Sequence, residues 1–298
     1  MIPAYNEEYT IAKVVLKAMK HVDKVIVCDD GSTDMTGEIA ERLGAIVIKH
    51  KKNLGKGYAL RDLLLEAESL NPDIVITLDA DDQHEADEIP LLINALIESK
   101  ADIAIGSRHL KSSKTDMPRY RILGLQIINA IARRILRSDL KDTQSGFRAF
   151  TNRALHVLRN TRSDGYGVES EQITLAMKEG LKIVEVPVTI RYKGLKRTSK
   201  KNPITQAAEI ITALVSLKIL ERPLLYLGVP GTALLAVGIL FVTYLLLIFN
   251  SFRYFSIPIA LITLGALIVG AILTIASLIL YSIRLVKAKI QIVKGAEF

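Results

Sequence analysis

Tryptophan is absent from this 298-residue chain, and cysteine occurs once. A single thiol excludes an intrachain disulfide, and Cys28, continuing the apolar run Val25 to Val27, reads as a small core residue rather than a nucleophile. Lys and Arg exceed Asp and Glu by 39 to 31, a net charge of +8. No basic patch carries interleaved aromatics, so nucleic acid is not an expected partner. The excess suits anionic lipid and phosphates instead. The opening Met1 to Glu8 turns polar at once, so no signal peptide is expected there.

Charge is also missing from two long stretches. Leu224 to Phe249 and Ile257 to Ile283 hold no charged side chain, and each exceeds the roughly 20 residues needed to cross a bilayer. Soluble core helices rarely stay uncharged for so long, so the two stretches, about 224–249 and 257–283, predict transmembrane helices. Arg253 is the only charge between them. Lys218 and Arg222 precede the first, and Arg284, Lys287, Lys289 and Lys294 follow the second. By the positive-inside rule the pair is a hairpin with both chain termini and the preceding domain in the cytoplasm, an integral protein of the cell membrane.

Before the hairpin, apolar runs at Lys24 to Cys28, Ala45 to Ile48, Asp73 to Leu78 and Asp102 to Ile105 alternate with amphipathic stretches at Glu7 to Lys20, Asp34 to Leu43, Lys56 to Glu68 and Ala86 to Glu98. That rhythm predicts an α/β fold with a mostly parallel sheet covered on both faces. Ligands of such sheets bind beyond the carboxyl ends of the strands. Those ends carry Tyr5-Asn6-Glu7, Asp29-Asp30-Gly31-Ser32, Asp79 to His84 and Gly106-Ser107-Arg108.

The third of these is the most informative. Asp79-Ala80-Asp81-Asp82-Gln83-His84 places a cluster of carboxylates at the end of an apolar strand. Asp79 and Asp81, two apart, share a side if the strand geometry persists. Carboxylates so placed can hold a hard divalent cation against a diphosphate. The plain alternative is an acidic strand-to-helix turn with Asp82 or Asp87 as an N-cap. Asp30-Gly31-Ser32-Thr33-Asp34 reads equally as a turn and cap. Asn53-Leu54-Gly55-Lys56-Gly57 resembles a phosphate cradle without P-loop spacing. Arg108 reads as a phosphate clamp because it shares the rim.

Taken together the residues resemble family 2 glycosyltransferases of the polyprenyl-phosphate sugar synthase type, typified by dolichyl-phosphate mannose synthase. The matching pieces are Ile2 to Glu8, Asp29 to Asp34, Gly55-Lys56-Gly57, Asp79-Ala80-Asp81 with Gln83-His84, Gly106-Ser107-Arg108, Asp142 with Ser145-Gly146-Phe147-Arg148, and Glu185-Val186-Pro187. The resemblance implies a GT-A (Rossmann-like) fold, a nucleotide-sugar donor, and Mg2+ or Mn2+. It implies that Pro3, Tyr5, Glu7 and Asp29 line the nucleoside pocket, with Asp79 near the ribose and diphosphate. It assigns the metal to Asp81 and Gln83, and the acceptor phosphate to Arg108 and Arg121. A basic loop after the last strand, Arg191 to Lys201, is similar to one that closes on the site, with Arg197 and Lys200 as further acceptor-phosphate residues. The catalytic set is then Asp81, Arg108 and Arg121. Only Met1-Ile2 remain of the strand the family places ahead of Pro3, so a stub is expected there.

The expected layout is a cytoplasmic catalytic domain at 1–202, an amphipathic interfacial helix at 203–222, and the hairpin with its basic tail at 223–298. Within the first, 118–137 sets apolar Ile122, Leu125, Ile128, Ile131, Ile135 and Leu136 among arginines, a pattern fitting a helix in the membrane interface or one packed on the sheet. The expected reaction is inverting transfer of a hexose, mannose from GDP-mannose first, to dolichyl or polyprenyl phosphate. UDP-glucose or UDP-N-acetylglucosamine as donor, or a hydroxyl acceptor such as a glycolipid with Asp142 as general base, stand as alternatives. A processive polysaccharide synthase would need the tryptophan this chain lacks. A non-catalytic scaffold would not need the carboxylates and arginines it keeps.

Overall fold

The computed structural model describes residues 1–115, 119–136, 138–161, 163, 165, 167–191 and 203–295, with side chains at 114–123, 125, 203–207 and 287–295 outside that description. Its elements are β1 (Ile2–Ala4), α1 (Ile11–Ala18), β2 (Ile26–Asp29), α2 (Thr36–Arg42), β3 (Ile46–Lys49), α3 (Lys56–Ser69), β4 (Ile74–Thr77), α4 (Ile89–Ser99), β5 (Ile103–Ser107), β6 (Lys114–Thr115), α5 (Arg119–Leu136), β7 (Arg148–Thr151), α6 (Asn152–Leu158), α7 (Val168–Lys178), β8 (Ile183–Pro187), β9 (Thr189–Ile190), α8 (Pro203–Glu221), α9 (Val229–Phe252) and α10 (Ile257–Gly295). The chain divides into two compact units, Met1–Leu214 and Val215–Phe298.

In the first unit β1, β2 and β3 pair in parallel, and β4, β7, β5 and β8 form a second ladder. Two backbone hydrogen bonds join the ladders: the Met1 nitrogen donates to the Ile76 carbonyl, 2.7 Å, and the Leu78 N–H to the Met1 carbonyl, 3.1 Å. The expected stub is real, a strand of three residues. One strand departs from the parallel pattern. β7 runs antiparallel to both β4 and β5, which keeps those two parallel to each other. The carboxyl ends of β1, β2, β4 and β5 therefore share one rim.

Alternation within each strand fills two cores. Val25 and Val27 with Ile76 and Ala104 meet α1 and α4 on one face. Ile26, Cys28, Val75, Ile103 and Ile105 meet α3, α5, α6 and α7 on the other. On α5 the buried residues Ile128, Ala132 and Leu136 recur at every fourth position, so this helix packs on the sheet through one stripe. Its opposite side leaves Gln126, Ile127, Ala130, Arg133 and Arg134 exposed. Ile210 and Leu214 of α8 join the same core, so the first unit runs past the expected boundary at 202.

In the second unit, a π turn at Leu224–Gly228 leads into α9, and a short turn at Arg253 reverses the chain into α10. Glycines let these helices approach closely. A Cβ on Gly231 would lie 2.7 Å from the Thr274 hydroxyl, and one on Gly238 would lie 2.6 Å from Leu267. The segments Leu224–Phe252 and Ile257–Val286 are long and apolar enough to cross a membrane, each with a mean hydropathy of 2.6. Only 11% of each is buried, so their leucines and isoleucines face outward.

Candidate active site

The loops after β1 and β2 are fastened to each other. Asn6 takes a left-handed conformation, φ 52°. Its N–H donates to the Ser32 hydroxyl, 2.8 Å, and its side-chain oxygen accepts from the Thr33 N–H, 2.7 Å. The Glu7 N–H donates to the Thr36 hydroxyl, 2.6 Å. Asp29, buried at the end of β2, accepts the Ser32 N–H at 2.9 Å. Gly37 must be glycine for that carboxylate to fit, since a Cβ there would lie 2.3 Å from Asp29 Oδ2.

Asp30 holds the next loop. It accepts the N–H groups of Leu54, 2.9 Å, and Gly55, 2.8 Å. Two of the N–H groups of the segment Asn53 to Gly57 are thus consumed within the protein by a carboxylate. His50 bridges Asp30, 2.7 Å, and Asp62, 2.9 Å. Burial opposes the imidazolium, but the two carboxylates outweigh it and raise its pKa above the usual histidine range.

Lys56, the first residue of α3, reaches the end of β4. Its ammonium lies 2.7 Å from Asp79 Oδ1 and 2.8 Å from Glu169 Oε1. Burial works against both charges of the first pair. The attraction prevails, holding Lys56 above the ordinary lysine range and Asp79 below the carboxylate range. No ion pair among the described residues reaches Asp81: burial, then the charge of Asp79, push it up to about 7 against the weaker pull of the Gln83 N–H and Lys56. His84 is buried, tilted against Phe147 with ring centroids 5.3 Å apart, and its Nδ1 has no partner among the described residues. Burial lowers its pKa to about 4. Gly146 sits under Asp79; a Cβ there would lie 2.6 Å from Oδ2.

Arg108 and Asp142 form a forked pair. The guanidinium donates through Nε and Nη2 to both carboxylate oxygens, 2.6 Å each, and the Arg108 N–H adds a third bond at 2.9 Å. Asp142 is fully buried. Burial opposes its charge, yet Arg108 holds its pKa down at about 2. Glu185 on β8 supports the loop from below, accepting the Lys141 N–H at 2.9 Å and the Asp142 N–H at 2.8 Å. Arg148, almost wholly buried, donates to the carbonyls of Thr143, Ser145 and Glu169 and to the Gln172 side chain. The matched segment from Asp142 to Arg148 is thus scaffolding that fixes the floor beneath Asp79.

The rim brings together most of the sequence-derived residues. Pro3 lines a small internal space with Lys56, Asp79, Gly146 and Glu169. Glu7 lies within electrostatic reach of Asp81, though its carboxylate also accepts the Thr10 hydroxyl at 3.0 Å. Tyr5 is exposed beside Asn6. The Gln83 N–H donates to Asp81, 3.1 Å. The Arg191 N–H donates to the Gln83 carbonyl, 2.9 Å, and Glu88 accepts the Thr189 N–H and hydroxyl, which fixes the end of β9 beside the acidic turn. Arg121 lies in α5 with its side chain outside the described residues, as are Arg197 and Lys200 altogether. The sequence reading passed over Glu169 as a site residue. Its place in the first turn of α7 looks like ordinary dipole compensation. It also offers Asp142 as a general base; the structure engages both oxygens of this buried carboxylate with the Arg108 guanidinium, which holds its pKa down at about 2 and makes it a weak base.

Among the described residues no three His, Cys, Asp or Glu side chains converge as a metal cage. The donor set nonetheless fits a hard cation of the Mg2+ type, which takes one or two carboxylates and completes its shell with water and substrate phosphates. Asp81, beside Asp79, and the Gln83 amide are the oxygens available.

A model of the glycosyl transferase family 2 domain matches residues 1–158. The chain belongs to that family and is a glycosyltransferase. It is 36% identical over 213 residues to a UDP-N-acetylglucosamine–dolichyl-phosphate N-acetylglucosaminyltransferase of Methanococcus voltae, covering 65% of this chain and 84% of the other. It is 33% identical over 215 residues to a dolichol-phosphate mannosyltransferase of Pyrococcus furiosus, covering 67% and 59%. Among solved structures it is similar to glucosyl-3-phosphoglycerate synthase of Mycobacterium tuberculosis in complex with Mn2+, UDP and glucosyl-3-phosphoglycerate: 25% identity, TM-score 0.55, covering 72% of this chain and 77% of that one. Another structure of that enzyme holds Mg2+ and UDP. The fold is GT-A, as the sequence led one to expect.

Proposed function

We propose that this enzyme transfers a hexose from a nucleotide-sugar to dolichyl or another polyprenyl phosphate at a membrane surface, inverting the anomeric carbon. The observation that carries this reading is the forked pair of Arg108 with buried Asp142, which fixes a guanidinium at the rim where an acceptor phosphate would be held and engages both oxygens of Asp142. A lipid phosphate needs no general base, because its second pKa is about 6 and it is already largely an oxyanion near neutrality. The names of the archaeal relatives support the same acceptor class.

In this reading Pro3, Tyr5, Glu7 and Asp29 receive the nucleoside, and Asp79, held by Lys56, borders the ribose and diphosphate. Asp81 and Gln83 hold Mg2+ or Mn2+, which when bound supplies charge stabilisation to the departing diphosphate. Arg108 and Arg121, with Arg197 and Lys200, draw the acceptor phosphate in line despite its like charge. Fixed by Asp142, Arg108 serves as a preset cation rather than a searching one. The hairpin spans the membrane with the catalytic unit and both termini cytoplasmic, the orientation that Lys218, Arg222, Arg284 and Lys287 favour. Mannose from GDP-mannose is the first choice of donor, with UDP-glucose and UDP-N-acetylglucosamine as the competitors.

The test supplies the detergent-solubilised full chain with dolichyl phosphate and Mn2+. Radiolabelled GDP-mannose, UDP-glucose and UDP-N-acetylglucosamine are offered separately, and label is followed into the organic phase. Label from one donor, abolished in Asp81→Ala and shifted to a higher acceptor KM in Arg121→Ala, is the expected result. Intact nucleotide-sugar binding with no lipid label from any donor would overturn the acceptor assignment.

A further inference from the structure

Away from the acidic rim, an open cavity of about 430 Å3 is lined by His109, Gln126, Ile127, Asn129, Ala130, Arg133 and Lys141. Its size falls within the roughly 300–1,000 Å3 of ligand pockets. Its polar lining is almost entirely made of donors. Arg133 and Lys141 are exposed cations, and Gln126 is an exposed amide.

Two buried atoms say more than the surface charges. Asn129 is 1% exposed, and its side-chain oxygen accepts both the N–H and the hydroxyl of Thr143, 3.0 and 2.9 Å. A backbone N–H can only donate, so the amide orientation is fixed and the Nδ2 group is a donor; among the described residues it has no partner. His109 Nε2 is likewise buried and without a partner among the described residues. Buried donors are seldom left so, and each costs about 1–3 kcal/mol. Arginines in the last turn of α5 alone would only complement its dipole. A buried amide donor and a buried imidazole nitrogen beside them, unpartnered among the described residues, are not explained by that dipole.

The acids nearby offset the cations only in part: Asp142 is paired with Arg108, and Glu185 keeps its charge while both its oxygens accept backbone N–H groups. Asp139 lies in an adjoining hollow that shares Ala130 and Arg133 and adds Arg134. Arg121, the acceptor-phosphate residue of the proposed reaction, is five positions before Gln126, about 140° around the helix. The cavity therefore lies on another face of α5 from that site.

We propose that this cavity is a second anion site, taking a phosphate group that is neither the donor diphosphate nor the acceptor phosphate. Arg133 and Lys141 supply the charge, while Asn129 Nδ2, and His109 Nε2 in the tautomer that protonates it, supply directed hydrogen bonds. The phosphate could come from an anionic phospholipid headgroup or from solution, and the chemistry is shared.

The experiment uses the full chain in a neutral detergent. Isothermal titration is run with short-chain phosphatidylglycerol, with short-chain phosphatidylcholine and with inorganic phosphate, on wild type and on Arg133→Gln, Lys141→Gln and Asn129→Asp. The first two variants change exposed side chains and keep the fold testable. The third keeps the oxygen that Thr143 needs and removes the donor. Saturable binding, weakened roughly tenfold in each variant, supports the site. Phosphatidylglycerol alone showing this pattern identifies a lipid headgroup, whereas inorganic phosphate showing it identifies a soluble anion. Wild-type affinity in all three variants, or no binding by wild type, overturns the proposal. UDP and GDP binding with Mn2+, measured on the same samples, reports separately on the acidic rim. Its loss in wild type would count against the proposed function and leave this site standing.

Discussion

Asp142 grips Arg108 through both carboxylate oxygens, 2.6 Å to Nε and 2.6 Å to Nη2, and is itself fully buried. This one pair decides two questions. It aims a cation at the rim without the entropy of a free side chain, and it makes the loop aspartate Asp142 a weak base.

Asp142→Asn should therefore lose stability, by about 3 kcal/mol, because Arg108 is left without its counter-charge. Turnover should fall without any change in the shape of the pH–rate profile. In wild type the sign runs toward acid. The depressed pKa contributes stability that is full above the ordinary 3.8 and is lost as pH falls through about 2. Thermal unfolding between pH 2 and 5, on wild type and variant, checks this; equal acid sensitivity in both would contradict it.

Lys56→Met removes the only cation that an ion pair places between Asp79 and Glu169 among the described residues. Two partly buried carboxylates are then left facing each other. A stability loss of about 3 kcal/mol is expected. In calorimetry, nucleotide diphosphate binding should weaken at least as much as when Asp79 itself is made Asn. Unchanged binding would separate Lys56 from the donor site.

Gly146→Ala puts a methyl group 2.6 Å from a carboxylate oxygen of Asp79, which Lys56 already holds in place. Overpacking of this kind costs about 1–3 kcal/mol. The informative reading is a split: kcat/KM should drop further than the melting shift accounts for, since Asp79 must move. A variant with wild-type kinetics would show that Asp79 has slack.

His50 predicts the opposite pH trend. Its pKa is raised above 6.5, so its bridge from Asp30 to Asp62 is full below that value and is lost as pH rises through the higher folded pKa. His50→Gln should cost about 2 kcal/mol at pH 6 and less in alkali. Melting curves from pH 6 to 9 would show the two proteins converging; parallel curves would dismiss the bridge.

Much of this protein was legible along the chain. Alternating apolar runs determined the strands and their covered faces, because a strand buried on both sides has few other ways to read. Two charge-free stretches determined the hairpin helices, and the acidic turn after Leu78 marked the rim. What sequence could not decide is which polar groups are free to act. Asp142 reads as a candidate base and Asn53 to Gly57 resembles a phosphate cradle, but only the fold shows Arg108 engaging both oxygens of the first and Asp30 taking two N–H groups of the second. Lys56 and Glu169 are 113 positions apart and meet only because α3 and α7 pack on one face. Availability of a donor or acceptor is a property of its neighbours in space, and antiparallel β7, which carries Arg148 between β4 and β5, was not written in any local pattern. Local periodicity set the elements; long-range pairing of charges set the site.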